Sequence, residues 1–293
     1  MIDTRRLRTL RAVADHGTVT AAAAALHLTP SAVSQQLAAL EHEVGHRLLT
    51  RDGRGVRLTA VGRILLEHTN EVLAQLERAQ AEVAAYASGQ EGEITVASFA
   101  TAISVVLAPA IRELRDKAPD ITIKVRDAEG DQALTLLLDE EADIAIAVEY
   151  RGAPASGDPR LTRIPLYAEP FDLVLPHDHA PVTRLADLKD EPWIGPYPGN
   201  PVHDLLTVAC EREGFTPAFT HYSDDFRAVV ALIGAGAGVA LVPRLALRHL
   251  DLSLVTVRAA PGPERRVFAA VRRGAEHHPL LTPLIEALAT RTP

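Results

Sequence analysis

The stretch from residue 18 to residue 57, TVTAAAAALHLTPSAVSQQLAALEHEVGHRLLTRDGRGVR, constrains this chain more than any other. Residues 21–26 read as a short helix of small side chains, and His27-Leu28 breaks its period. Thr29 as N-cap and Pro30 at the first helical position then start a second helix. Its apolar residues Val33, Leu37, Leu40 and Val44 recur at four, three and four positions, so they share one buried stripe, which Gly45 ends as a C-terminal cap. The other face carries Ser31, Ala32, Ser34, Gln35 and Gln36 behind Thr29. Small hydroxyls and amides at the exposed start of a second helix suit the DNA major groove, where amides bond adenine edges and small side chains allow close approach.

A hairpin follows at once. Residues 47–51 and 56–58 flank Asp52-Gly53-Arg54-Gly55, and Asp-Gly between such runs is a strong hairpin signal. Arg51 on its first strand and Arg54 at its tip make it a basic wing, which beside a recognition helix reaches the DNA backbone or the minor groove. The net charge of −8 fits a DNA binder only once it is divided: residues 1–63 hold nine Arg against five acidic residues, a local +4 that leaves −12 for the rest. An acidic remainder repels phosphate, leaves affinity to the winged end and favours two copies acting together.

Asp3 caps a first helix in which Leu7, Leu10 and Ala14 share a face, and Gly17 ends it. After the wing, Thr59 caps a long helix through about residue 88. Within it Leu65, Thr69, Val72, Leu76, Ala79, Val83 and Tyr86 alternate spacings of four and three, a heptad seam that argues for pairing with another helix. No second helix of matching pattern occurs in the chain, so the expected partner is the same helix of another subunit; amphipathic packing within one chain is the plainer alternative.

Residues 88–92, SGQEG, read as a hinge. Beyond it, strands at 93–97, 121–125 and 143–148 alternate with helices at 103–117 and 132–138, which implies a parallel sheet covered on both faces. A second series holds strands at 161–167, 171–176, 219–222 and 239–242, with helices after Asn200 and from Asp225. The strand 267–271 and the helix 280–289 remain; their return to the first lobe gives two crossings, as in periplasmic binding proteins. The expected domains are 1–62, a linker and hinge at 63–91, and 92–293 with one lobe of 92–161 plus 266–293 and a second of 162–265.

Ligands of open α/β sheets sit beyond the carboxyl ends of strands, near helix starts that favour anions. Ser98, Phe99 and Thr101 stand at one such junction, Glu149 at another, Tyr197 in the loop before the helix after Asn200, and Asp225 and Phe226 at a fourth. Hydroxyls at a helix start suit an anionic end, whereas Glu149, Asp224 and Asp225 suit a cationic or hydroxylated end. Catalytic readings are weak. Gly234 to Gly238 follows a helix and precedes a strand, the reverse of a phosphate loop. His177-Asp178-His179 has no evident third metal ligand, and Cys210 has no histidine nearby in sequence. No cofactor, metal or catalytic group is expected. The apolar run 228–242 is too short and glycine-rich to span a bilayer, and the start lacks a signal-peptide pattern, so no membrane role and a cytoplasmic location are expected.

The run from Leu7 to Gly62, with AAAAALHLTPSAVSQQLAALE and then LLTRDGRGVRLTAVG, resembles the DNA-binding domain of LysR-type transcriptional regulators, and the two-lobed half extends that resemblance over essentially the whole chain. The resemblance implies an α/β protein with an N-terminal winged helix-turn-helix, a long linker helix and a C-terminal effector-binding domain of two lobes. It implies double-stranded DNA bound at an interrupted inverted repeat, a small-molecule effector placed most clearly at Ser98 to Thr101, a homodimer through the linker helix that assembles to a homotetramer, and RNA polymerase as a further partner. The alternative is a small-molecule binding protein or enzyme whose winged module makes protein contacts only.

Overall fold

The caps expected from the sequence set the ends of the first and third helices. The computed structural model describes residues 2–53, 55–86, 91–129, 131–150, 153–155 and 157–290. Helix α1 (Thr4–His16) starts where the Asp3 carboxylate accepts from the Arg5 amide and stops at Gly17, whose φ of 69° suits glycine. Helix α2 (Val19–Ala25) starts two residues before the expected 21, because the Thr18 hydroxyl accepts from the Ala21 amide. Helix α3 (Pro30–Val44) is capped by Thr29, which accepts from the Ala32 amide, and by Gly45. Strands β1 (Leu49–Asp52) and β2 (Gly55–Leu58) pair antiparallel with Asp52 opposite Gly55. Arg54, the expected wing tip, lies outside the described residues. Leu7, Leu10, Val13, Val33, Leu37, Leu40 and Leu48 close a separate core under the wing.

The linker helix α4 (Ala60–Tyr86) begins at Thr59, whose hydroxyl accepts from the Gly62 amide at 2.9 Å. Gly62 is required there: a Cβ would stand 2.1 Å from the Leu48 carbonyl oxygen. Further along, Gly274 (φ 99°) comes so close that a Cβ would lie 2.2 Å from the Ala74 carbonyl oxygen. These two contacts seat α4 on the wing and on the C-terminal half. Of the expected hinge, residues 88–90 lie outside the described residues.

The C-terminal half continues with β3 (Gly92–Ser98), α5 (Ala100–Ala102), a π-helical turn Ile103–Leu107, α6 (Ala108–Lys117), β4 (Ile121–Asp127), α7 (Gln132–Leu138) and β5 (Ile144–Val148). The helix expected unbroken over 103–117 is therefore interrupted. Pro109 has no N–H to give to the turn before it, and its ring crowds the carbonyl four residues back, which explains the wider turn. Next come β6 (Leu161–Pro176), β7 (Pro192–Gly195), α8 (Pro201–Arg212), β8 (Ala218–Tyr222), α9 (Phe226–Gly234), β9 (Ala240–Pro243), β10 (Val255–Arg272) and α10 (Thr282–Ala289).

One mixed sheet, ordered β4-β3-β5-β10-β6-β9, runs through both lobes, while β7 and β8 pair on their own and touch β9 through a bridge from Trp193 to Val239. The expected parallel sheet holds for β3, β4 and β5; β10, β6 and β9 are antiparallel to their neighbours. The segments expected separately at 161–167 and 171–176 are one long strand, and 267–271 is the end of another. The register of β6 against β10 shifts at two places, beside the pairs Glu264–Pro170 and Phe268–Pro165. Proline cannot donate to the ladder, so each shift falls where a bond is already missing. Strand β7 has no counterpart in the sequence reading. Separate apolar clusters cover both faces of the sheet in each lobe.

Candidate functional site

Helix α3 offers its start to solvent. Thr29, Ser31, Ser34 and Gln35 are exposed and Ala32 is half-buried. The Thr29 and Ser31 hydroxyls lie 3.0 Å apart, and Ser34 donates to the Pro30 carbonyl at 2.8 Å. Gln36 departs from the sequence reading. It is half-buried, and its side-chain oxygen accepts from the Thr9 hydroxyl at 2.5 Å, so it braces α3 on α1 rather than facing outward. A helix turns about 100° per residue, which separates Gln36 from Gln35 and carries it toward the stripe of Val33 and Leu40. Arg51 is exposed on β1, and Arg57 on β2 sits 3.9 Å from Asp52.

The heptad seam divides. Leu65 packs on the winged core and Thr69 is buried, its hydroxyl donating to the Leu65 carbonyl. Val72, Leu76, Ala79, Val83 and Tyr86 remain exposed, Val83 at 70% and Tyr86 at 91%. A different face, with Leu73, Ala74 and Glu77, turns toward the C-terminal half, where Arg272 donates to Glu77 at 3.1 Å. Arg272 also donates to the Ala142 carbonyl at 2.7 Å, so a single guanidinium ties linker helix to lobe.

Between the lobes lies an open cleft of about 760 Å³. Thr101 lines it from one lobe and Asp225 and Phe226 from the other. Phe99 lines its narrow inner end. Three expected residues stand elsewhere. Ser98 is buried and its hydroxyl turns to the Phe99 carbonyl at 3.4 Å, because it ends a central strand whose side chains alternate between faces. Glu149 accepts from Arg163 at 3.2 Å, and Tyr197 stacks on Tyr222 with ring centroids 5.7 Å apart.

The inner end adds Glu129, Asn200, Asp224 and Arg265. Asn200 caps α8 by accepting from the Val202 amide, and its amide nitrogen donates to Asp224 at 3.0 Å and Glu129 at 3.5 Å. Burial, with the charges of Asp224 and Asp127 beside it, pushes the Glu129 carboxyl up to about 7. Arg265 was missed because nothing in an alternating strand marks an inward arginine. The one available signal is a charge at a position where the neighbouring Val267 and Ala269 face the core. Cys210 is buried in α8, and burial pushes its thiol up to about 12, which favours the protonated form. Gly234 ends α9 and leads into β9, a helix-to-strand turn.

Comparison with known proteins gives these parts a common identity. The family of bacterial regulatory helix-turn-helix proteins of lysR type matches residues 4–63, and the LysR substrate binding domain family matches residues 87–293. The chain is 30% identical to the small neutral protease regulatory protein of Streptomyces coelicolor over 284 residues, covering 93% of this chain and 83% of that one. It is 28% identical to the MetR transcriptional regulator of Escherichia coli over 294 residues, covering 98% and 90%. Among solved structures, full-length OxyR of Pseudomonas aeruginosa superposes with a TM-score of 0.61 at 22% identity, covering 100% of this chain and 99% of that one. Full-length CbnR complexed with its target DNA superposes with a TM-score of 0.54 at 25% identity, covering 98% of both. With a winged module at one end, a two-lobed cleft at the other and matches to both family domains, the chain belongs to the LysR family and is a DNA-binding transcriptional regulator with an effector-binding domain.

Proposed function

We propose that this regulator works as a homodimer joined through α4, assembling further to a tetramer, and reads an interrupted inverted repeat with two copies of α3 and the wing. In this reading Thr29, Ser31, Ala32, Ser34, Gln35, Arg51 and Arg54 meet the DNA. Val72, Leu76, Ala79, Val83 and Tyr86 pair the linker helices, and a small molecule with an anionic end binds between the lobes. It acts in the cytoplasm on promoters also engaged by RNA polymerase, and catalyses no reaction. The observation that carries the reading is the placement of Thr101 and Phe226 on opposite walls of a cleft whose inner end reaches Arg265 on the crossover strand β10. A ligand touching both walls favours one arrangement of the lobes, and Arg272 at the end of β10 holds α4, which supplies a route from cleft to DNA module.

The test is a footprint on DNA upstream of the protein's own gene, with and without metabolites that raise its melting temperature. Two protected half-sites separated by whole helical turns are expected. Thr101→Trp should abolish the response to the stabilising metabolite while leaving unliganded DNA affinity unchanged. Protection of one half-site alone, or a metabolite response that survives Thr101→Trp, would overturn the reading.

A further inference from the structure

Arg265 occupies an unusual position for a charged residue. It lies on β10 beside the register shift where the chain crosses between lobes, opposite Glu169 on β6. Arg265 is 2% exposed and Glu169 is 3% exposed. Nε of Arg265 donates to one Glu169 oxygen at 2.7 Å, and the other Glu169 oxygen accepts from the Leu245 amide at 2.7 Å. Glu169 is thereby engaged at both oxygens. Nη2 of Arg265 is buried and has no hydrogen-bond partner among the described residues. Buried guanidinium N–H groups are normally satisfied, and this one belongs to a side chain that lines the inner end of the cleft. The room left there is about 10 Å³, enough for one water-sized group such as a carboxylate oxygen. The Phe99 ring, 5.1 Å from the guanidinium carbon, flanks the same place.

The opposite pole is acidic. Glu129 and Asp224 converge on the amide of Asn200, and Asp127 stands at the wider mouth. A bare carboxylate would satisfy Arg265 but crowd those acids; a bare amine would satisfy the acids and leave Arg265 without an acceptor. We propose that the cleft binds a small amino acid as its zwitterion, the carboxylate accepting from Nη2 of Arg265 and the ammonium donating to Glu129 and Asp224, with its side chain toward the wider mouth. This rests on the cleft being the effector site. The groups facing Glu129 are Asp224, Asp127, Arg265 and Asn200, and together with burial they leave its carboxyl about half protonated at neutral pH. An arriving ammonium draws that proton off, so binding releases protons.

The experiment is calorimetry on the full-length chain with each of the common L-amino acids, then with the N-acetyl acid and the amide of any that bind. At least one amino acid should bind, and removal of either charge should weaken it tenfold or more. Arg265→Lys keeps a charge against Glu169 but removes the second nitrogen, and should also weaken binding at least tenfold. Glu129→Gln should weaken binding and abolish the proton release seen when buffers of different ionisation enthalpy are compared. If Arg265→Lys fails to fold, the two derivatives and Glu129→Gln decide. Failure of every amino acid to bind, equal affinity for the N-acetyl acid, or undiminished affinity in folded Arg265→Lys overturns the inference. Binding of another metabolite class that Thr101→Trp blocks and Arg265→Lys leaves intact overturns it and keeps the cleft reading; binding indifferent to Thr101→Trp overturns both.

Discussion

Asp15 of α1 accepts a hydrogen bond from Nη1 of Arg160 at 2.6 Å, a contact between the DNA-reading module and the effector domain of one chain. Around it Arg8 donates to Glu140 and His16 meets Asp139 at 2.9 Å, so α1 is seated on the loop after α7 and on the start of β6. Burial outweighs the arginine in setting Asp15, whose carboxyl stands above the usual carboxylate range. Asp158, which Arg160 also holds, is drawn below that range by its hydrogen bonds to Arg160 against the opposing effect of burial. Removing the two partners should therefore have unequal effects. Asp15→Asn should change stability by less than about 1 kcal/mol, whereas Arg160→Ala strands two carboxylates and should cost about 2–3 kcal/mol. Both should raise the radius of gyration in small-angle scattering by loosening the seat of the winged module. An unchanged profile in both variants would show that the contact does not hold the two domains together.

Adjacent glutamines on α3 should behave differently. Gln35 faces solvent, so Gln35→Ala should cost about 1–3 kcal/mol against the cognate site and relax preference at one base pair, without altering thermal stability. Gln36 is bonded to Thr9, so Gln36→Ala should lower stability by about 1 kcal/mol and leave base preference intact. Mobility-shift titrations on a set of single-base operator variants, beside melting curves, separate the two.

Leu76 is the fourth of the seven seam positions on α4 and is exposed. Leu76→Asp places an unpaired charge on the stripe proposed to pair α4 with its copy, at a cost on the order of 3 kcal/mol per dimer, and should shift the sedimenting species toward monomer. Operator affinity should fall with it, because two half-sites would no longer be held by one particle. Unchanged mass and affinity would mean that the stripe is not the dimer contact.

Glu129 gives the unliganded protein a pH dependence whose sign follows from its displacement from 4.5 up to about 7, caused first by burial and then by Asp224 and Asp127. A carboxyl raised in the folded state binds its proton more tightly there than in the unfolded chain. Its ionisation therefore opposes folding: the penalty is absent below about 4.5, grows as pH rises and is complete above about 7. Glu129→Gln should remove on the order of 3 kcal/mol of this decline, read as a flatter curve of melting temperature against pH between those limits.

Cys210 should resist thiol reagents while the chain is folded. With its thiol buried and held protonated, labelling at pH 8 should run at roughly one hundredth of the rate of a free thiol or less, and reach that rate only in denaturant. Rapid labelling of the native chain would expose a thiolate that the fold does not provide for.

The sequence by itself determined what local chemistry determines. Asp3, Thr29 and Thr59 are caps because a side-chain oxygen satisfies free amides at a helix start, and Gly17 and Gly45 are stops because their φ is positive; these choices need no distant partner. The wing, the recognition helix and the alternation of strand and helix were legible for the same reason. What only the tertiary structure decided depends on residues far apart in the chain. Gln36 turned inward because Thr9 lay within reach, and the linker seam split because Leu65 had a winged core to join while Val83 had none. Ser98 left the cleft because the sheet turned its hydroxyl away, and Arg265 entered because β10 crosses between lobes beside the Pro170 register shift. Periodicity reports which face of an element is apolar, but the neighbour that face meets, and the polar atom left without one, are set by chain crossings that no local window contains.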